Sequence, residues 1–132
     1  MIELHGWLSV RETCGNEDLL SETELEDINK RVDKLIKSAD GYITEEYRNG
    51  ERFIRTLFCS NHRTAETEEI ISLYGKISEA AAGSYGLIYL LDDEDKDHCG
   101  EFLVYIFKRG RCGIKNDKYL SPVIPEIEDE VK

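Results

Sequence analysis

Asn49-Gly50 lies between two runs that read as strands, and no other feature limits the fold of this chain so sharply. An Asn-Gly pair suits a two-residue hairpin loop, because both central residues of that turn take positive φ and so follow the twist of the strands. The pair predicts an antiparallel hairpin between Tyr42-Ile43-Thr44-Glu45-Glu46-Tyr47 and Arg52 to Cys59. In the return strand Phe53, Leu57 and Cys59 alternate with Ile54, Thr56 and Phe58, and Cys59 is expected in the core. A helical period flanks the hairpin on each side. Ser21-Glu22-Thr23-Glu24 forms a capping box, followed by Leu25, Ile28, Val32, Leu35, Ile36 and Ala39 on one stripe. Acidic residues precede Lys30, Arg31, Lys34 and Lys37, as the helix dipole favours, and Gly41 is a natural stop. The second helix is expected over 65–82, burying Ile70, Ile71, Tyr74, Ile77 and Ala81, with Gly83 ending it.

The remaining segments read as strands and loops. Over residues 2–12, Ile2, Leu4, Gly6, Leu8 and Val10 alternate with Glu3, His5, Trp7, Ser9 and Arg11, which predicts a first strand. A loop with Gly15 and Asn16 fills 13–20. Tyr85 to Leu91 is continuously apolar and predicts a central strand. An acidic loop separates it from a partner strand over Phe102 to Phe107. Arg109-Gly110-Arg111 turns the chain into a short edge strand over Cys112 to Lys115. From about Tyr119, a tail with Pro122 and Pro125 is expected to be extended and packed, fraying from Glu126 to Lys132. Before that edge strand the order is β-α-β-β-α-β-β, which implies an α+β fold: a mainly antiparallel sheet with two helices packed on one face. At 132 residues this is expected to be a single domain over 1–132.

Charge narrows the functional classes. Against 28 Asp and Glu stand 17 Lys and Arg, a formal charge of −11. Such a chain repels nucleic acid and anionic membranes, so its natural partners are basic. No stretch reaches the roughly 18 apolar residues of a membrane span. The amino-terminal residues lack a basic segment followed by an apolar one, so a cytoplasmic location is expected. Cys14, Cys59, Cys99 and Cys112 show no metal-binding spacing and read as reduced thiols; a zinc site with His98 is the weaker reading. No cofactor is implied.

The most conspicuous run is Asp92-Asp93-Glu94-Asp95-Lys96-Asp97-His98. Asp93, Asp95 and Asp97 match the start of a calcium loop, but His98 stands at position six, where glycine is needed, and Val104 at position twelve, where glutamate is needed. That leaves a solvated hairpin loop or an acidic contact surface. Glu17, Asp18 and Glu22 form a second acidic group. Lys108, Arg109, Arg111, Lys115 and Lys118 are the opposite, read as a nucleic-acid patch or, in a chain this acidic, as an intramolecular balance to the acidic loop. Of the three histidines, His5 shares a strand face with Trp7, and no local nucleophile motif accompanies it. Trp7 reads as a sheet-face or core anchor; exposed on an open face it would instead mark an interface.

Four stretches together are characteristic: His5-Gly6-Trp7; Tyr85-Gly86-Leu87-Ile88-Tyr89; Phe102 through Gly110; and Leu120-Ser121-Pro122-Val123-Ile124-Pro125-Glu126-Ile127-Glu128-Asp129. In this combination the chain resembles the immunity protein 7 family of bacterial polymorphic toxin systems, which include contact-dependent growth inhibition. The resemblance implies a small α+β protein that binds the carboxy-terminal domain of a cognate toxin in the cytoplasm and blocks it. It carries over no catalytic residue. Toxins of these systems are often nucleases, and an acidic inhibitor can fill a basic nuclease cleft. The expected contact residues are Asp92, Asp93, Glu94, Asp95 and Asp97, with Glu17, Asp18 and Glu22 second. The alternatives are a small hydrolase or metal-dependent enzyme using His5 and His98, and a generic acidic regulatory or nucleic-acid-mimic module. The edge strands permit a monomer or a weak dimer.

Overall fold

The structure is a computed structural model that describes residues 1–15, 19–39 and 41–129. In chain order its elements are β1 (Ile2–Val10), α1 (Glu22–Ser38), β2 (Thr44–Arg48), β3 (Glu51–Ser60), α2 (Ala65–Ala80), β4 (Tyr85–Asp92), β5 (Phe102–Lys108), β6 (Arg111–Asn116) and α3 (Val123–Glu126). The six strands form one sheet in the order β2-β3-β1-β4-β5-β6, with every neighbouring pair antiparallel. The α+β architecture and the order of strands and major helices agree with the sequence reading. The short α3 is an addition to it.

Two matching turns close the outer hairpins. Asn49 and Gly50 have φ of 51° and 78°, and Arg109 and Gly110 have 53° and 71°. These are the positive dihedrals that two-residue hairpins require. At the start of α1 the Glu24 amide donates to Ser21 Oγ at 3.1 Å, the forward half of the capping box, while the Glu24 carboxylate accepts from the Ser21 hydroxyl at 3.3 Å. β2 begins at Thr44, two residues later than expected, while Tyr42 and Ile43 pack against the core ahead of it. The second helix ends at Ala80, with Ala81 as its cap.

Alternation decides what each face of the sheet meets. One face carries Leu4, Leu8, Ile54, Ile88, Leu90 and Phe107 under α1 and α2, with Val32, Ile70, Tyr74 and Ile77 descending from the helices. Burial of these side chains is the main stabilising term, worth roughly 1.5–3 kcal/mol each. Gly6 lies beneath the Tyr74 ring: a Cβ there would stand 2.8 Å from the phenol oxygen. That oxygen shares a buried 2.8 Å hydrogen bond with Thr56, the residue paired with Gly6 across β3. Arg52, also on the helix face, ties α1 to the sheet. Its guanidinium donates to Asp33 of α1 at 2.5 Å and to Glu45 of β2 at 2.8 Å.

Among the described residues no helix layer covers the opposite face, and coverage is confined to its β4–β5 end, where Val123 of α3 packs on Leu91 and Phe102. The tail reaches this end through a helical turn, and of residues 119–129 only Val123 is buried. Residues 130–132, where fraying was expected to end, lie outside the described residues. Asp117 anchors this segment. It is buried and accepts from the Tyr119 and Leu120 amides (3.0 and 2.8 Å) and from the Ser121 and Tyr89 hydroxyls (2.9 and 3.1 Å). Burial pushes its pKa up, but these four donors outweigh that and hold it below its ordinary value. The expectation that Cys59 is a core residue is corrected: it is exposed. In β3 the residues beneath the helices are Ile54, Thr56 and Phe58, so Leu57 and Cys59 fall on the uncovered face. Among the described residues no helix is long and apolar enough to cross a membrane.

Candidate functional site

The acidic loop joins β4 to β5 at the end of the sheet where β1 begins. Asp92 pairs with Ile2, which brings the loop beside the amino terminus and the entry to α2. The loop is built on local bonds: the Glu94 amide donates to Asp92 Oδ1 and the Asp97 amide to Asp95 Oδ1, both at 3.0 Å. Several carboxylates have cationic or polar partners. Asp93 accepts from the Met1 amine at 2.5 Å, Glu94 from His62 Nδ1 at 2.7 Å, and Asp92 lies 3.9 Å from Arg63. Asp93, Glu94 and Asp97 remain exposed, while Asp92 and Asp95 are half-buried. Among the described residues no three of His, Cys, Asp and Glu converge as a metal site requires.

Of the second acidic group, the described member Glu22 lies far from the acidic loop. Glu22 opens α1, which follows the Val10 end of β1; the acidic loop lies at the Ile2 end. A nine-residue strand separates those ends by about 30 Å. Glu22 is exposed. Glu17 and Asp18 lie outside the described residues.

The histidines are likewise dispersed. His5 hydrogen-bonds Glu3 at 2.9 Å on the uncovered face, and His62 belongs to the acidic loop's network. His98 sits within the β4–β5 loop, its Nδ1 3.8 Å from Glu101. The groove of about 380 Å³ between α1 and α2, lined by Leu35, Tyr42, Glu68 and Leu73, contains neither His5 nor His98.

The uncovered face presents an apolar patch that the sequence reading raised only as a conditional. Trp7 is 43% exposed, Tyr85 45% and Leu57 72%. Trp7 meets Tyr85 edge-to-face at 6.3 Å between centroids, and Arg11 stacks over Tyr85 at 5.7 Å. Arg55 and Arg48 flank the patch, both paired with Glu46. Exposed aromatic groups beside arginine are the side chains that dominate protein interfaces. A signal for the patch was present in the sequence. β3 is apolar at Leu57 and Cys59 as well as at Ile54 and Phe58, and two helices cover only one face of a sheet.

The basic stretch does not balance the acidic loop, contrary to expectation. Among the described residues, Lys108, Arg109, Arg111 and Lys115 form no ion pair with any carboxylate. Geometry explains this: the Arg109-Gly110 turn is at the Tyr85 end of the sheet and the acidic loop at the Asp92 end, about 25 Å apart along β4. These side chains instead line an open groove of about 480 Å³ with Ile106 and Gly113.

A family model described as immunity protein 7 matches residues 1–129. No curated protein and no solved structure matches the chain. The match takes in the His5-Gly6-Trp7 strand, both major helices, the acidic loop and the anchored tail, so the chain whose fold and surfaces these are belongs to the immunity protein 7 family.

Proposed function

We propose that this protein neutralises a cognate toxin domain by binding it one-to-one, without catalysing a reaction. We infer further that the toxin is a nuclease met in the cytoplasm, and that the acidic loop enters its basic cleft. Family membership supports the toxin partner. The observation that carries the nuclease reading is the net charge of −11, together with a loop that is braced by the Glu94 and Asp97 amides on the Asp92 and Asp95 carboxylates and exposes Asp93, Glu94 and Asp97. Carboxylates held in place lose little freedom on binding, and the long-range field speeds encounter with a cationic surface by one to three decades. Trp7, Tyr85 and Leu57 supply apolar anchors that hold such a complex once formed.

The test is a binding measurement against the carboxy-terminal domain of the toxin encoded beside this protein, at low and high salt. One-to-one binding whose association slows with salt is the expected result. Replacing Asp93 and Asp95 by Lys is expected to slow association at least tenfold at low salt. Unchanged affinity in that variant removes the loop from the interface; absence of binding overturns the reading.

A further inference from the structure

We propose that the exposed edge of β6, with the basic groove beside it, is a docking site for an extended acidic peptide segment of a partner protein. Three independent observations converge there. β6 closes the sheet on one side, and all its residues, Arg111–Asn116, are exposed. Among the described residues its outer N–H and C=O groups therefore face no strand, which is the template that strand addition uses. The register places Arg111, Gly113 and Lys115 on one face, opposite Lys108, Ile106 and Val104 of β5. Gly113 has open space where a side chain would stand, so the groove runs over Ile106 between two cationic ends. An added strand with carboxylates four residues apart and an apolar residue midway would face Arg111, Ile106 and Lys115 in turn.

Charge complementarity selects an acidic occupant. On a molecule of net charge −11, Lys108, Arg109, Arg111 and Lys115 are gathered together and unpaired among the described residues. Lysines and arginines on an edge strand can also act as guards against aggregation. That role does not account for Arg109, which lies in the turn and not on the edge. Arg109 holds φ of 53° at the position that Asn49 fills in the other hairpin. A left-handed backbone strains an arginine more than an asparagine or glycine. A long cation kept there at a backbone cost is a side chain with a task. A peptide fits better than nucleic acid. Its backbone matches the free edge, and a short segment feels the local cations within a Debye length of about 10 Å, where a long polyanion also meets the repulsion of the whole molecule.

The proposal does not rest on toxin neutralisation, and its test needs no toxin. A labelled peptide of about ten residues, with Glu, Leu and Glu at successive alternate positions, is titrated with the full chain at about 0.1 M ionic strength by fluorescence anisotropy. Saturable binding is expected, weakened at least tenfold by Arg111→Glu with Lys115→Glu, and abolished by N-methylation of the peptide amides that face the edge. Arg109→Asn is expected to weaken binding several-fold while raising the melting temperature by about 2–4 °C, which separates recognition from folding. Equal binding of the N-methylated peptide, indifference to the charge reversals, or preference for a single-stranded oligonucleotide over the peptide would overturn the proposal.

Discussion

Gly6 shows how one missing side chain organises a core. The Tyr74 ring occupies the space a Cβ would need, and its hydroxyl meets Thr56, the strand neighbour of Gly6. Gly6→Ala is expected to push that ring aside and cost about 1–3 kcal/mol in chemical denaturation, by overpacking. Tyr74→Phe keeps the ring but leaves the Thr56 hydroxyl buried without its partner, at a cost of about 1–3 kcal/mol. Burial also raises the Tyr74 pKa to about 12, outweighing the hydrogen bond from Thr56, which lowers it. A folded pKa above the unfolded value of about 10 means that this stability is complete below about pH 10 and lost as pH rises through the folded value. Denaturation curves between about pH 9 and 12 should therefore fall more steeply for the native chain than for Tyr74→Phe. Asp117 has the opposite sign. Its pKa is lowered, so the hold it exerts on the tail is present above the ordinary carboxylate value of about 3.9 and lost as pH falls through its own.

At the scale of elements, two polar hubs do what apolar packing leaves undone. Arg52 joins α1, β2 and β3 through Asp33 and Glu45. Arg52→Leu removes both links but leaves Asp33 and Glu45 in contact with solvent, and is expected to destabilise the fold by about 1–2 kcal/mol, with faster amide exchange in α1 and β2 than elsewhere. Asp117→Ala is expected to speed exchange across 118–129, leaving α2 and β1 protected, because its four donors belong to the tail and to β4. The elements themselves were legible in the sequence. Asn49-Gly50, the Ser21 capping box and the two helical stripes each have a local cause, and local causes survive folding. What escaped depended on which side of a strand the helices would cover. Cys59 looked apolar enough for the core, yet its parity with Leu57 and Trp7 puts it on the uncovered face. The partners of the acidic loop were equally hidden, since Met1, His62 and Arg63 reach it only through the pairing of β1 with β3 and β4.

Over the whole molecule, charge and apolar surface are segregated. The acidic loop and the basic turn occupy opposite ends of the sheet, and the Trp7 patch lies on its uncovered face. In a toxin complex these regions are expected to govern different rates. Reversing the acidic loop should act on association and vanish at high salt, whereas Trp7→Ala should act on dissociation and persist there. Stopped-flow association and surface-capture dissociation measure the two separately; a Trp7→Ala variant that dissociates at the native rate takes the patch out of the interface. The position of β1 has a different consequence. It is made before the other strands of this sheet and is one of the two innermost, bordered by β3 and β4. During synthesis at about 5–20 residues per second, it waits several seconds for its second neighbour, with a row of backbone groups open to any other chain. A ribosome stalled after α2 would therefore display an unfinished sheet, and the vulnerable moment in the life of this protein falls before β4 has left the exit tunnel.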